Sequence, residues 1–515
     1  MNRTVIDSKG KPDRHLLVPL ILAAVMVIIQ LVTAQNYGIF RDEMYFIACG
    51  DNLDFGYVDH PPMIAIVARL STTFFGNSLL GLRLWPALAA ALTVLLAAMI
   101  ARELGGERFA QGFASLSVFA AVEFLGIFGT LTIPSLEILI WTFNLFVLLK
   151  ILNGASPRLW LLFGLVAGLG LQTKLTGLVF GFAVVLALVL TRHRRHFATP
   201  WLYLGGAIAA LVFLPNIIWQ IAHGWPTLEF VRNAMEYKNL PLSPLEFLGQ
   251  MILTLNPLTL PLWVGGLVYL LFSKTASNCR PLGWFFLIAM VILILQRSKY
   301  YYLDPVVPLM LAAGAVAFER LVRKTGWGWL KPVYAVVLIV TGAILAPLAI
   351  PVLPPESFVS YSQILGFSEV KTERHEQAAL PQYFADRFGW KELAGEIADA
   401  YNALPQMERE RCAIITSNYG EAGAVEYFGS RLGLPQPISG HNSYWLWGPR
   451  EFDGEVAICF GFREEGLGSM FKEVEIAAIH RHPFAMLYES NRPILVCRGL
   501  KTPVEKLWQL IKSFN

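Results

Sequence analysis

LWLLFGLVAGLGLQTKLTGLVFGFAVVLALVL, residues 159–190, carries one charge, Lys174, in 32 positions. A hydrocarbon core about 30 Å thick takes about 20 apolar residues as a helix, so the stretch is too long for one span. It is read as two, 159–173 and 175–191. Lys174 then lies in a tight turn at a membrane face, because an ammonium at the bilayer centre is costly. Outward from this pair, similar runs fall near 16–34, 83–101, 109–128, 133–151, 201–222, 246–272, 282–296, 303–319 and 331–353. Together they predict an α-helical polytopic membrane protein with about eleven transmembrane helices. The first run is too long for a cleavable signal core and has no small-residue cleavage site after it.

Composition agrees. Length alone would suggest about three soluble domains, but 55% of the 515 residues are hydrophobic and 15% charged, against about 25% charged in soluble domains. With a mean hydropathy of +0.52, a soluble enzyme and a disordered chain are both excluded. The net charge of +4 is unevenly spread. Residues 1–353 carry 25 basic and 16 acidic side chains, and residues 354–515 carry 16 and 21. The expected organisation is a transmembrane domain, 1–353, followed by a soluble domain, 354–515. In the latter, helical stretches (389–404, 420–433, 503–513) alternate with short strands (411–416, 455–460, 494–498), the pattern of a small α/β fold. Cys412, Cys459 and Cys497 fall in β-like runs, CAIIT, EVAICF and PILVC. Buried strand thiols fit them better than a disulfide, which stays open, and no Cys/His spacing suggests a metal centre.

Orientation follows from Lys and Arg in the short connections. With the N-terminus cytoplasmic, 17 basic residues face inward, among them Arg3, Lys9, Lys11, Arg14 and the Arg192-Arg194-Arg195 cluster, and eight face outward. An odd number of spans puts the C-terminal domain on the extracytoplasmic side. The first outer loop, about 35–82, is far longer than a connector needs to be. Amphipathic helices near 42–50 and 62–75 are expected to lie on the membrane surface there.

Candidate chemistry gathers on that outer face. Asp42 and Glu43 fit two readings: a helix N-terminus favoured by the macrodipole, or a carboxylate offered as general base. Asp59 and His60, in GYVDHPP (56–62), are either a helix start with prolines in its first turn or a second polar wall of the same cavity. In QRSKYYYLDPVVP (296–308), Lys299 with Tyr301 and Tyr302 reads as an interfacial aromatic belt or as a phosphate clamp. Lys174, Arg69 and Arg83 could join that clamp. Glu123 and Glu137 bracket TLTIPSLE near the interface. GHNSYWLWGP (440–449) could stack on a sugar or pack the domain in place.

RDEMYF, LDFGYVDHPP, RLWP, GLGLQTKLTGLVF and SKYYYLDPVVPLM, in this order over residues 16–350, resemble the GT-C integral-membrane glycosyltransferases. The relatives are protein O-mannosyltransferases, lipid A aminoarabinose transferases and lipid A core galacturonosyltransferases. The C-terminal GWKELA, SNYGEAGAVEYF and SGHNSYWLWGP resemble domains on bacterial members of unassigned substrate. The resemblance implies a GT-C fold and transfer of a sugar from a polyprenyl-phosphate donor, of the undecaprenyl type, to an acceptor at the periplasmic face of a bacterial inner membrane. It implies Asp42, with Glu43 adjacent, as the catalytic carboxylate, and Lys299, Tyr301, Tyr302, Arg83 and Lys174 at the lipid phosphate. Many members carry an acidic residue where this chain has Pro134-Ser135; Glu137 is the nearest substitute.

The chemistry is coherent on its own terms. A single base opposite the leaving group predicts inversion at the anomeric carbon, and a departing phosphate needs cations more than a general acid. No nucleotide-binding loop or nucleic-acid partner is indicated. Asp42, Glu43 and Asp59 offer oxygen ligands for a divalent ion, but no spacing demands one. The acceptor is left open among a glycolipid such as lipid A, a polysaccharide and a protein. A multi-pass flippase for lipid-linked saccharides is the competing reading; it would need polar groups along a route between faces.

Overall fold

The computed structural model describes residues 15–367, 373–374, 376 and 378–515. Four of the basic residues used for orientation, Arg3, Lys9, Lys11 and Arg14, lie outside the described residues. The chain divides into two compact units, one of Met1–Ala34, Phe75–Ile218 and Pro241–Val352, the other of Gln35–Phe74, Trp219–Leu240 and Leu353–Asn515.

The first unit is helical. Among the described residues six helices are long and apolar enough to cross a membrane: Leu79–Glu103, Ile133–Leu152, Pro200–Ala222, Ser277–Leu295, Tyr300–Thr325 and Leu330–Leu348. Four other expected spans form shorter or broken helices, Leu17–Thr33, Arg108–Phe119 with Val122–Ile127, Leu159–Leu171 and Thr176–Val189. Lys174 occupies the turn between Leu159–Leu171 and Thr176–Val189, its N–H donating to the Gly170 carbonyl at 2.9 Å.

The expected continuous span over 246–272 is broken. Pro244–Thr254 and Pro257–Phe272 meet at 100°. Asn256 takes a left-handed backbone, φ 84°, and Pro257 after it cannot continue the ladder from the preceding helix. The Asn256 side chain secures the corner by donating to the Ala120 carbonyl and Thr341 Oγ1, each at 3.2 Å, and accepting from Leu258 N–H at 3.1 Å.

Burial separates the helices of this unit. Tyr300–Thr325 is 78% buried and Leu330–Leu348 11%, the latter exposing Val336 and Ile339. Apolar faces of this size belong in lipid rather than water. At the centre, Leu260–Phe272 and Val307–Thr325 approach through Gly266 and Gly314, where a Cβ would collide with the carbonyls of Met310 and Leu262. Small residues allow such backbone proximity in membrane bundles. Buried Glu319 accepts the Glu107 and Ala110 N–H groups at 2.8 and 2.9 Å, satisfying free donors at the start of Arg108–Phe119.

The second unit joins the first-loop helices Arg41–Asp51 and Met63–Phe75 to a mixed sheet from the end of the chain. The two loop helices touch at Gly50, where a Cβ would stand 3.0 Å from the Ala65 carbonyl. The strands are β1 (Cys412–Thr416), β2 (Ile438–Ser439), β3 (Val456–Phe460), β4 (Phe471–His480) and β5 (Arg492–Leu500), in the order β2-β1-β3-β5-β4. β1 pairs in parallel with β2 and β3, whereas β5 runs antiparallel to β3 and β4. Cys412, Cys459 and Cys497 are buried free thiols on β1, β3 and β5.

Candidate active-site residues

Asp42 and Glu43 begin the helix Arg41–Asp51 and do different things. Glu43 is buried, and its carboxylate accepts the Phe40 N–H at 2.9 Å, satisfying a free donor at the helix start. Asp42 stays partly exposed. Its Oδ1 accepts the Tyr419 hydroxyl at 2.8 Å. Burial pushes the Asp42 carboxyl up from its ordinary value, while the Tyr419 hydrogen bond and the positive charges of Arg41 and Lys238 pull it back.

Arg41 anchors this helix. Its guanidinium lies 4.6 Å from the Tyr419 ring centroid and donates to the Tyr488 hydroxyl at 3.0 Å, and its N–H donates to the Asp386 carbonyl at 3.0 Å. Tyr488 in turn donates to Asp386 Oδ1 at 3.3 Å. Burial drives the Asp386 carboxyl up to about 7 against the opposing charge of Arg41. The neighbouring Glu421 carboxyl is also raised, by burial and then by Glu489 beside it.

Asp59 and His60 form a second group in the same unit. The Tyr45 hydroxyl is 2.8 Å from both Asp59 Oδ1 and Ser443 Oγ, and Ser443 Oγ accepts the Val58 N–H at 3.2 Å. His60 is buried against the rings of Tyr57, Phe46 and Tyr45, with Nδ1 2.9 Å from the Pro61 carbonyl. An imidazole enclosed in this way supports the turn. Asp59 keeps partial exposure.

The GHNSYWLWGP segment packs onto the first loop through Ser443. Tyr444 is buried and donates to Glu426 at 2.7 Å. His441 stacks on Tyr419 at 5.1 Å and accepts its N–H at 3.2 Å. Burial, then Lys238 and Arg41, lower His441 to about 3, which keeps the ring neutral and able to accept. Of the two readings for this segment, packing is the one these contacts express.

The basic-tyrosine group lies in the first unit. Lys174 Nζ stands 3.6 Å from the Tyr302 ring centroid and 5.6 Å from that of Tyr301. Lys299 Nζ is 5.9 Å from Tyr301. The structure thus gathers Lys174, Lys299, Tyr301 and Tyr302 although 125 positions separate the two lysines. Lys174 also pairs with Glu137 at 3.4 Å, and Glu137 accepts the Thr176 hydroxyl. Tyr300 donates to Glu123 at 3.2 Å, and Asp304 is fully buried.

Two other cations are differently engaged. Arg83 is buried and donates to the carbonyl of Ala34, just past the first helix. Arg69 pairs with Asp51 at 2.6 Å, with both side chains half-exposed. Among the described residues no cluster of three or more His, Cys, Asp or Glu has the arrangement of a metal site.

Sequence reasoning missed Tyr419, Tyr488, Asp386 and Ser443. Tyr419 lay in a quoted motif, SNYGEAGAVEYF, but no spacing rule connects it to Asp42, 377 positions earlier.

Comparison with known proteins agrees with this architecture. The family described as dolichyl-phosphate-mannose-protein mannosyltransferase matches residues 59–219. The lipid A galacturonosyltransferase RgtD of Rhizobium johnstonii is 25% identical over 267 residues, 50% of this chain and 55% of that protein. The chain therefore spans about half the length of that curated relative. Among solved structures, ArnT from Cupriavidus metallidurans bound to undecaprenyl phosphate aligns with a TM-score of 0.62 at 16% identity, covering 92% of this chain and 97% of ArnT. The oligosaccharyltransferase AglB from Archaeoglobus fulgidus, in complex with an inhibitory peptide and a dolichol-phosphate, aligns with a TM-score of 0.50 at 13% identity, over 87% of this chain and 69% of AglB. An apolar helical unit, a long first loop with two short helices and a small C-terminal sheet together give this membrane protein the GT-C fold that ArnT shares.

Proposed function

We propose that this chain is a glycosyltransferase that moves a sugar from a polyprenyl-phosphate donor to the hydroxyl or amine of an acceptor, with inversion at the anomeric carbon. The observation that carries the reading is Asp42. Among the described residues its carboxylate accepts one side-chain hydrogen bond, at Oδ1, which leaves Oδ2 for a substrate proton. A general base must remain ionised and within hydrogen-bond reach of that proton. The bond from Tyr419 and the charge of Arg41 favour the ionised form, so Asp42 suits the task better than Glu43, whose carboxylate caps its own helix.

The leaving phosphate needs positive charge and hydroxyl donors. Lys174, Lys299, Tyr301 and Tyr302 supply both, and they are assigned to the donor's phosphate. Arg83, whose guanidinium donates to the Ala34 carbonyl, is assigned to the same phosphate. Asp59, with His60 behind it, is assigned to the acceptor side. The names of the relatives, a lipid A galacturonosyltransferase and an ArnT bound to undecaprenyl phosphate, support a lipid-linked donor and a glycolipid acceptor. A polysaccharide or protein acceptor would suit the same base. The excess of basic residues in one set of short connections supports a cytoplasmic N-terminus with residues 354–515 outside, and the bacterial relatives support an inner membrane with that outer side as the periplasm. On this division residues 1–353 carry the groups assigned to the reaction and residues 354–515 form the soluble domain.

The test is turnover of a synthetic polyprenyl-phosphate sugar by the purified protein in detergent. Asp42→Asn should lower kcat by 10² to 10⁴-fold, about the contribution of a general base, without changing the thermal midpoint. Wild-type turnover by a folded Asp42→Asn protein would refute the assignment.

A further inference from the structure

The parallel part of the C-terminal sheet has a switch point between β1 and β3: the chain leaves β1 toward β2 on one side and returns to β3 on the other. Open α/β sheets take their ligands in the crevice beyond the carboxyl ends of such strands. Here those ends are Thr416 and Phe460, followed by Ser417, Asn418 and Gly461. The crevice is already filled. Glu421 turns back onto the Ser417 and Asn418 N–H groups at 2.7 and 3.2 Å, and a Cβ on Gly461 would run into Ser417 and Glu421. Along the helix Tyr419–Ala424, a Cβ on Gly420 would come within 2.6 Å of Arg41 and one on Gly423 within 2.9 Å of Met44. The helix that leaves this switch point, Tyr419–Ala424, packs against the first-loop helix Arg41–Asp51.

We infer that the C-terminal domain is a structural part of the catalytic centre, and that Tyr419 is a positioning residue that orients Asp42 and keeps it ionised. The inference rests on the function proposed above. Tyr419 is fixed at three points: its hydroxyl on Asp42, its ring against the Arg41 guanidinium, the Tyr45 ring and the His441 imidazole, and its N–H on His441 Nδ1. His441 is held by the chain end, 3.0 Å from the carbonyl and the side-chain oxygen of Asn515. The charged groups acting on Asp42 are Arg41, Lys238, Glu373 and Asp386, and all of them survive substitution of Tyr419.

The test is Tyr419→Phe in the full-length protein, read as kcat, as KM for the polyprenyl-phosphate sugar and as the pH profile. A hydrogen bond donated to a carboxylate stabilises its charged form. Its loss should move the acidic limb of kcat/KM to higher pH by about one unit. On the acidic limb, below the wild-type inflection, turnover should fall about tenfold with the donor KM unchanged, and it should recover as the pH is raised. A merely structural role would lower activity at every pH and leave the limb in place. If Asp42→Asn is inactive while Tyr419→Phe keeps wild-type kcat and limb, the positioning role is wrong and the proposed function stands. If Asp42→Asn is fully active, both fall.

Discussion

At the scale of single residues, the structure separates cations by what surrounds them. Lys174 is paired with Glu137, so removing it would strand a buried carboxylate and confuse a loss of binding with a loss of fold. Lys299 offers a second probe of the phosphate reading: its ammonium lies 5.9 Å from the Tyr301 ring centroid and its side chain is mostly buried. A charge-assisted hydrogen bond to a phosphate oxygen is worth about 1.5–3 kcal/mol. Lys299→Ala should therefore raise the donor KM about tenfold or more and leave the acceptor KM near its wild-type value. Titration with each substrate separately would decide it, and a selective loss of acceptor affinity would remove Lys299 from the phosphate site. The lysine and tyrosines of SKYYYLDP were visible as a group in the sequence. Their meeting with Lys174 depended on resemblance, because composition and spacing give no hint of which turn faces which.

Elements were legible where one physical signal dominated. The helices Arg41–Asp51 and Met63–Phe75 lie where amphipathic periodicity put them, and three strands of the terminal sheet follow its apolar runs. β4, FKEVEIAAIH, was missed because it is an edge strand with mostly exposed side chains, so hydropathy averages away its pattern. The break at Asn256 was missed for the opposite reason. The Asn-Pro dipeptide is a turn signal, but a 27-residue apolar run overruled it. Three hydrogen bonds and a left-handed backbone now make Asn256 specific for the corner. Asn256→Gly should keep the backbone and lose the amide bonds, and Asn256→Ala should lose both. Each lost buried hydrogen bond costs about 1–3 kcal/mol where a partner is left unsatisfied. The thermal midpoint in detergent should thus fall for glycine and fall further for alanine; an unchanged midpoint in Asn256→Ala would show that the bend is set elsewhere.

For the whole molecule, the division into units follows contacts and ignores sequence order. The second unit draws on residues 35–74, 219–240 and 353–515, so the helix that begins with Asp42 shares its core with a sheet built from the end of the chain. Six consecutive side chains of that helix, Met44 to Cys49, are buried, and they pack within a unit most of whose residues follow Leu353. Charge counting divided the chain after residue 353 and described the remainder as a soluble appendage. It could not detect that the first loop lacks a core of its own, since 40 residues with two short helices bury too little apolar surface to fold alone. A chain ending at Val352 should therefore insert in the membrane and keep the cooperative melting of its long helices, but lose the ordered first loop. Trypsin should cut it at Arg41, which the full chain protects through Tyr419, Tyr488 and Asp386, and its turnover should fall at least as far as that of Asp42→Asn. Wild-type turnover in the truncated chain, or equal resistance at Arg41, would mean that the first loop holds its catalytic shape unaided.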